Sequence, residues 1–177
     1  MSDTELDGRI REAIRDIPDF PTDGVVFRDI TTVLRDGALF SDIVHHFAQR
    51  YRDRNIDRIV GIESRGFILG SAVAHELGIG LTLVRKPGKL PYDTIGVDYA
   101  LEYGTDRVEV HTDALEPSQR AVILDDILAT GGTASATVEL IDQLDAEIVD
   151  VGFMIELGFL SGREKLDGVP VYSVTCY

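Results

Sequence analysis

The spacing of hydrophobic residues along this chain changes several times, and the changes mark out its elements. Leu6, Ile10, Ala13, Ile14 and Ile17 recur at helical spacing, which predicts an amphipathic helix over residues 4–16. Pro18 and Pro21 follow, and each biases its own backbone and its predecessor away from helix, so the chain is expected to continue extended. Leu39, Phe40, Ile43, Val44, Phe47 and Tyr51 mark a second helix. Residues 58–62 form an apolar run of strand length that leads into Glu63-Ser64-Arg65-Gly66, and 67–77 continue as a helix stopped by Gly78. The next strand is predicted at 81–85.

Residues 87–98 break the rhythm. They contain Pro87, Gly88, Pro91 and Gly96 with little periodicity, which predicts a long loop; such a loop within a compact domain is usually functional or disordered. Residues 99–104 and 107–111 read as a β-hairpin closing that excursion. A strand at 121–126, a helix from about 133 to 144, a strand at 148–156 and a short strand at 171–175 complete the chain. Alternating strands and helices predict an α/β fold, with a mainly parallel central sheet flanked by helices. No repeat, low-complexity tract or linker divides it, so one domain is expected over 1–177. Ligands in such folds bind beyond the carboxyl ends of the strands, where Glu63-Ser64-Arg65-Gly66 and the stretch from Asp125 to Thr133 should both lie.

Composition narrows the function classes. A net charge of −14 argues against general nucleic-acid binding, which needs a basic footprint, but leaves room for a small anionic substrate. Lys86, Lys89 and Lys165 are the only lysines, and two of them fall in the loop region. No apolar run approaches a membrane span. Met1-Ser2-Asp3-Thr4-Glu5 is acidic and unlike a signal peptide, and the single Cys176 offers no internal disulfide. Cytoplasmic residence is the expectation, with no nucleic-acid or membrane partner.

The most informative segment is Val122-Ile123-Leu124-Asp125-Asp126-Ile127-Leu128-Ala129-Thr130-Gly131-Gly132-Thr133-Ala134. An apolar run reads as a buried parallel strand and ends in two acids, where unpaired charge is costly. Neighbouring carboxylates can accept hydrogen bonds from a pair of adjacent hydroxyls, as on a ribose. The small-residue loop that follows can curl so that its N–H groups meet an anion, and the next helix adds the positive end of its dipole. Diol binding beside phosphate binding describes a sugar phosphate. A Gly-Gly turn alone would be an ordinary α/β connection. The loop fits neither G-x-x-x-x-G-K-[ST] nor G-x-G-x-x-G, which disfavours a nucleoside triphosphatase and a dinucleotide site.

This segment resembles the phosphoribosylpyrophosphate motif of the type I phosphoribosyltransferases. Other segments narrow the resemblance to their adenine-using family. Ile17-Pro18-Asp19-Phe20-Pro21-Thr22-Asp23-Gly24-Val25-Val26-Phe27-Arg28-Asp29-Ile30 is similar to that family's base-binding segment, and Gly61-Ile62-Glu63-Ser64-Arg65-Gly66-Phe67 to its pyrophosphate loop. Arg85-Lys86-Pro87-Gly88-Lys89-Leu90-Pro91 and Leu101-Glu102-Tyr103-Gly104 resemble the two ends of its flexible catalytic loop, and Gly162-Arg163-Glu164-Lys165-Leu166 a late segment. The resemblance thus covers nearly the whole chain. It divides the domain into an N-terminal helix and base-binding segment (1–35), a flexible loop (86–104) and the sugar-phosphate core.

The resemblance implies that adenine and 5-phosphoribosyl-1-pyrophosphate give AMP and pyrophosphate, through a transition state like an oxocarbenium ion. Placement and fixed charge should supply most of the acceleration. It assigns Arg65 and the backbone of Glu63, Ser64 and Gly66 to the pyrophosphate, with Arg85, Lys86 and Lys89 as cations brought over it by loop closure. Asp125 and Asp126 would hold the ribose hydroxyls; Ala129, Thr130, Gly131, Gly132 and Thr133 would hold the 5′-phosphate. Val26 backbone would read the 6-amino edge, Phe27 stack on the purine and Arg28 flank it. Glu102 would manage a proton at N7, and Tyr103 pack over the closed loop. Catalysis falls to Glu102, Arg65 and Lys89. Mg²⁺ is implied, bound mainly through the substrate's pyrophosphate rather than by a protein cage, and His45, His46, His75 and His111 are not assigned as ligands. A homodimer is implied as well. One departure stands out: where the family often continues Lys-Leu-Pro with Gly-Pro-Thr, this chain has Tyr92-Asp93-Thr94. A related enzyme using hypoxanthine, guanine or xanthine, and a non-catalytic regulator of the same fold, remain the alternatives.

Overall fold

The structure, a computed structural model, describes residues 2–100 and 104–177. The first helix, α1 (Asp3–Ala13), is capped by Ser2, whose hydroxyl accepts from the Glu5 N–H at 3.3 Å, and buries Leu6 and Ile10. It stops short of the predicted residue 16. Pro18 holds Ile17 extended, and Arg15–Pro18 becomes strand β1, antiparallel to β2 (Val26–Asp29), with Ile17 opposite Phe27. Cross-strand pairing thus overrides the helical spacing of Ile14 and Ile17. A short helix, α2 (Thr31–Arg35), precedes α3 (Gly37–Tyr51). The α3 helix begins ahead of Leu39 because the Asp36 carboxylate caps it, accepting from the N–H groups of Ala38 and Leu39 at 3.1 and 3.0 Å.

Strand β3 (Arg58–Ile62), helix α4 (Arg65–Leu77) and strand β4 (Gly80–Val84) form a parallel βαβ unit. Gly78 ends α4 in the left-handed conformation at φ 69°, which a side chain would resist. The predicted long loop is shorter than expected. Strand β5 (Thr94–Ala100) pairs antiparallel with β6 (Thr105–His111), from Thr94 opposite His111 to Ala100 opposite Thr105. Residues 94–98 of the predicted loop are therefore strand. Ile95, Val97 and Tyr99 alternate inward with period two, a pattern masked by Gly96 and the prolines upstream.

Strand β7 (Arg120–Leu128), helix α5 (Gly132–Asp142), strand β8 (Glu147–Glu156), two 3₁₀ turns (Gly158–Leu160 and Gly162–Leu166) and strand β9 (Val171–Cys176) follow. The central sheet is fully parallel, with strands in the order β4-β3-β7-β8-β9. Its central strands read as unbroken apolar runs because both faces are covered. Ile59, Val122 and Leu124 join Leu6, Ile43, Phe47 and Leu69 on the side of α1, α3 and α4. Val60 and Ile123 point the other way, to Val97, Val108, Leu140 and Phe153 beneath the hairpin and α5. The chain goes from β3 outward to β4, and returns across the sheet to β7 on the other side of β3. The crevice at the carboxyl ends of β3 and β7 is therefore a topological switch point, where such sheets bind ligands.

Candidate active site

That crevice is lined by the loop after β3, the end of β7, the loop into α5, and Lys86 from beyond β4. Strand β7 runs on to Leu128, past the predicted end at 126, so Asp125 and Asp126 belong to the strand itself. Their side chains are linked through the backbone: the Asp126 N–H donates to Asp125 Oδ1 at 2.9 Å. Asp126 is buried and receives Arg65 Nε. Removal from water pushes the Asp125 carboxyl well above the usual carboxylate range, and the negative charge of Asp126 pushes in the same direction. Gly66 makes room for this pair, since a Cβ there would lie 2.8 Å from both Asp125 Oδ1 and the Leu124 carbonyl.

The loop from Ala129 to Thr133 turns at Gly131, which has φ 76° and serves as the N-cap of α5. The first-turn N–H groups of α5 have no intrahelical partner, and Gly132, Thr133 and Ala134 line the crevice, an arrangement of backbone donors and helix dipole that suits an anion. A Cβ on Gly131 would overlap the carbonyl of Gly162, and a Cβ on Gly162 would overlap that of Ala129. The 3₁₀ turn that begins at Gly162 thus forms the back wall of this loop. Thr133 presents a hydroxyl that donates to the Tyr99 hydroxyl at 3.0 Å.

On the opposite side, Glu63 gathers cations. Its carboxylate accepts from Arg85 Nε at 3.2 Å, from the Lys86 N–H at 3.0 Å and from Lys89 Nζ. Burial disfavours its charge, but the hydrogen bonds from Lys89, Lys86 and Arg85 outweigh that and hold its pKa at about 2. Lys86 Nζ reaches the Tyr99 hydroxyl at 2.6 Å and also Asp106. Its ammonium is thereby shifted upward: burial opposes, and the bonds to Asp106 and Tyr99 prevail. Ser64 is exposed at the N-terminus of α4.

Of the residues singled out from sequence for a sugar phosphate and a pyrophosphate, Glu63, Ser64, Arg65, Lys86, Asp125, Asp126 and Ala129 to Thr133 line one crevice, and Arg85 and Lys89 reach it through Glu63, though with partners that spacing could not reveal. Arg65 reaches Asp126, 61 positions on, rather than its neighbour Glu63. Val26, Phe27 and Arg28, singled out from sequence for the base, are not among the residues that line the crevice. Val26 is exposed on β2, and Phe27 meets Phe20 edge-to-face at 5.3 Å. Arg28 pairs with Asp16 and lies 4.3 Å over the Tyr177 ring, so its guanidinium is committed to a structural contact. Glu102 and Tyr103 lie outside the described residues. Sequence reasoning did not single out Phe153, which lines the crevice, or Tyr99 and Asp106, which bond to Lys86. The alternation of Val97 and Tyr99 was the available signal for Tyr99; Phe153 is hidden within an apolar strand. Among the described residues, no three His, Cys, Asp or Glu side chains cluster at metal-binding distance.

The phosphoribosyl transferase domain model matches residues 29–170. The adenine phosphoribosyltransferase of Syntrophotalea carbinolica is 56% identical over 165 residues, covering 93% of this chain and 96% of that protein. The crystal structure of adenine phosphoribosyltransferase from Thermoanaerobacter pseudethanolicus superposes with a TM-score of 0.93 at 45% identity, covering 96% of this chain and 99% of that one. The enzyme from Saccharomyces cerevisiae, solved in complex with adenine and an imino-altritol bisphosphate, matches with a TM-score of 0.91 at 38% identity over 97% of this chain and 99% of that one. A single crevice built from an acid pair, a helix-capped glycine loop and a ring of cations accords with these similarities: the chain belongs to the phosphoribosyl transferase family, among the adenine phosphoribosyltransferases.

Proposed function

We propose that this protein transfers the 5-phosphoribosyl group from 5-phosphoribosyl-1-pyrophosphate to N9 of adenine, giving AMP and pyrophosphate in purine salvage. The observation that carries the reading is the convergence on one crevice of donors for a phosphate, acceptors for a diol and cations for a pyrophosphate. The Saccharomyces cerevisiae relative, which holds adenine together with a sugar-like bisphosphate, supports the choice of base.

The 5′-phosphate would sit on the N–H groups and hydroxyls of Ala129, Thr130, Gly131, Gly132 and Thr133, at the positive end of α5. Asp125 and Asp126 would accept the ribose hydroxyls. As the C1–O bond to pyrophosphate breaks, negative charge grows on the leaving group, and Arg65, Arg85, Lys86 and Lys89 would stabilise it, with backbone from Glu63 to Gly66. The base would lie against Phe27, with the Val26 backbone reading its amino edge, Arg28 beside it as a support, and Glu102 serving the N7 proton. Tyr103 would pack over the closed loop. Water kept out of the closed crevice cannot compete with adenine for the ribosyl cation.

The donor set fits Mg²⁺. Asp125 and Asp126 offer hard oxygen ligands beside the place assigned to ribose and pyrophosphate, and a dication held largely by substrate oxygens needs no cage of its own. Bound with the pyrophosphate, it would supply additional positive charge for the leaving group. We also infer a homodimer, supported by Ile68 of α4 and Leu83 of the edge strand β4, apolar side chains left substantially exposed. Cytoplasmic residence accords with the single cysteine and with the absence, among the described residues, of any helix long and apolar enough to cross a membrane.

A base panel tests the reading. Purified protein, Mg²⁺ and phosphoribosylpyrophosphate are incubated with adenine, hypoxanthine, guanine or xanthine, and the nucleotide is identified. Selective AMP formation is expected. A different nucleotide would overturn the assignment of the base, and binding of phosphoribosylpyrophosphate without turnover would make the protein a ligand-responsive regulator.

A further inference from the structure

We propose that Tyr99 is a positioning residue for this transfer: its hydroxyl ties the Lys86 ammonium, on the pyrophosphate side of the crevice, to the Thr133 hydroxyl on the 5′-phosphate side. The inference rests on the function proposed above.

A phenol has one proton to give and two lone pairs to offer. Tyr99 uses all three. It accepts from Lys86 Nζ at 2.6 Å and from Thr133 Oγ1 at 3.0 Å, and it donates to Asp106 at 3.0 Å. Lys86 also donates directly to Asp106, which closes the network. The three partners come from three separate segments: the stretch after β4, strand β6 and the first turn of α5. Nothing else in the crevice joins its two anion-binding sides through side chains among the described residues.

The ring is fixed as firmly as its hydroxyl. A Cβ on Gly132 would come within 3.1 Å of Tyr99 Cδ2, so strand β5 leans directly on the glycine loop. The Lys86 ammonium also stands 5.2 Å from the centre of the same ring. A lysine is a compact charge on a flexible stem, and its value to a leaving group depends on where it is held. The Tyr99 hydroxyl and Asp106 together hold this one at the crevice wall. Without the hydroxyl, Asp106 alone would draw it along β6.

Tyr99→Phe keeps the ring on Gly132 and deletes only the hydroxyl, so the chain should fold with a nearly unchanged melting temperature. Steady-state kinetics would be measured for four proteins: unmodified, Tyr99→Phe, Lys86→Met and the double variant. In the unmodified background, Tyr99→Phe is expected to lower kcat/KM for phosphoribosylpyrophosphate about tenfold, the scale of one hydrogen bond to a charged group, with the KM for adenine unchanged. In the Lys86→Met background the same substitution should change kcat/KM less than twofold, because the group it positions is gone. Equal effects in both backgrounds, or an equal loss for both substrates, would reduce Tyr99 to a packing residue. Full activity of Tyr99→Phe would remove the inference while AMP synthesis by the unmodified chain kept the function intact. No AMP from the unmodified chain would remove both.

Discussion

Gly131 and Gly162 lie against each other with no room for a side chain on either. A Cβ on Gly131 would overlap the Gly162 carbonyl, and one on Gly162 would overlap the carbonyl of Ala129. The two glycines are far apart in sequence, yet the second determines the curve of the loop that contains the first. Gly162→Ala is therefore expected to act at a distance. The loop must shift to admit the methyl, at a cost of roughly 1–3 kcal/mol in stability. The KM for phosphoribosylpyrophosphate should rise about tenfold as the loop's N–H groups lose alignment. Urea denaturation with initial-rate kinetics checks both, and an unchanged KM would separate this wall from the phosphate site.

Asp125→Asn should trade function for stability. The Asp125 carboxyl is raised well above the unfolded value of about 3.9. A raised acid binds more protons in the folded state, so its contribution to stability declines as pH climbs above the unfolded value. At pH 7.5 the neutral amide is expected to make the protein more stable than the unmodified chain, and at pH 4 the difference should shrink. Weakening the acceptor proposed for a ribose hydroxyl should lower kcat/KM by roughly ten- to a hundredfold. Denaturation at the two pH values, beside kinetics, would expose the trade; a destabilised variant at pH 7.5 would refute it.

Glu63 should matter for acid resistance. Its folded pKa is about 2, and Asp29, bonded first of all by Arg15 and then by the Thr31 N–H, is also held at about 2. Both lie below unfolded values of about 4. Their contribution is therefore full above the unfolded pKa and is lost as pH falls through the folded one. Between pH 5 and 2.5, about the window these values define, the urea midpoint of the unmodified chain should fall more steeply than that of Glu63→Gln. Parallel curves would show that Glu63 gains nothing from its cations.

The role proposed for Glu102 is a chemical one, the handling of a proton at N7. Glu102→Gln is expected to lower kcat about a hundredfold while changing the KM for adenine little, as removal of a proton-handling group does. Pre-steady-state turnover would check that the loss is in the chemical step. A fully active variant would move the N7 role elsewhere.

Much of the architecture was legible because its physics is local. The runs at 58–62 and 121–126 announce buried parallel strands, and Gly78 announces a helix end. The β1–β2 pairing was not legible, since Arg15–Pro18 is short and mostly exposed and its strand character comes from Val26–Asp29. The start of β5 was hidden because Pro87, Gly88, Pro91 and Gly96 read as loop residues and outweighed the intact alternation of Ile95, Val97 and Tyr99. At the site, identities were easier to read than partners. Asp125, Asp126 and the glycine loop are contiguous, so their chemistry could be named from spacing. The bonds of Arg65 to Asp126 and of Tyr99 to Thr133 depend on chain segments brought together only by the folded sheet.

The Glu63 carboxylate also sets the terms on which any anion can reach the cations around it. With Arg85, Lys89 and the Lys86 N–H already satisfied by an internal counter-ion, an incoming anion does not meet bare positive charge; it must displace a resident one. A lone phosphate, offering little more charge than the carboxylate it replaces, gains little from the exchange. A pyrophosphate, with several oxygens spread along two phosphoryl groups, can satisfy the same donors and others besides. On the function proposed above, the site would thus be tuned by competition within itself, and a long polyanion would be favoured over a short one by the protein's own carboxylate.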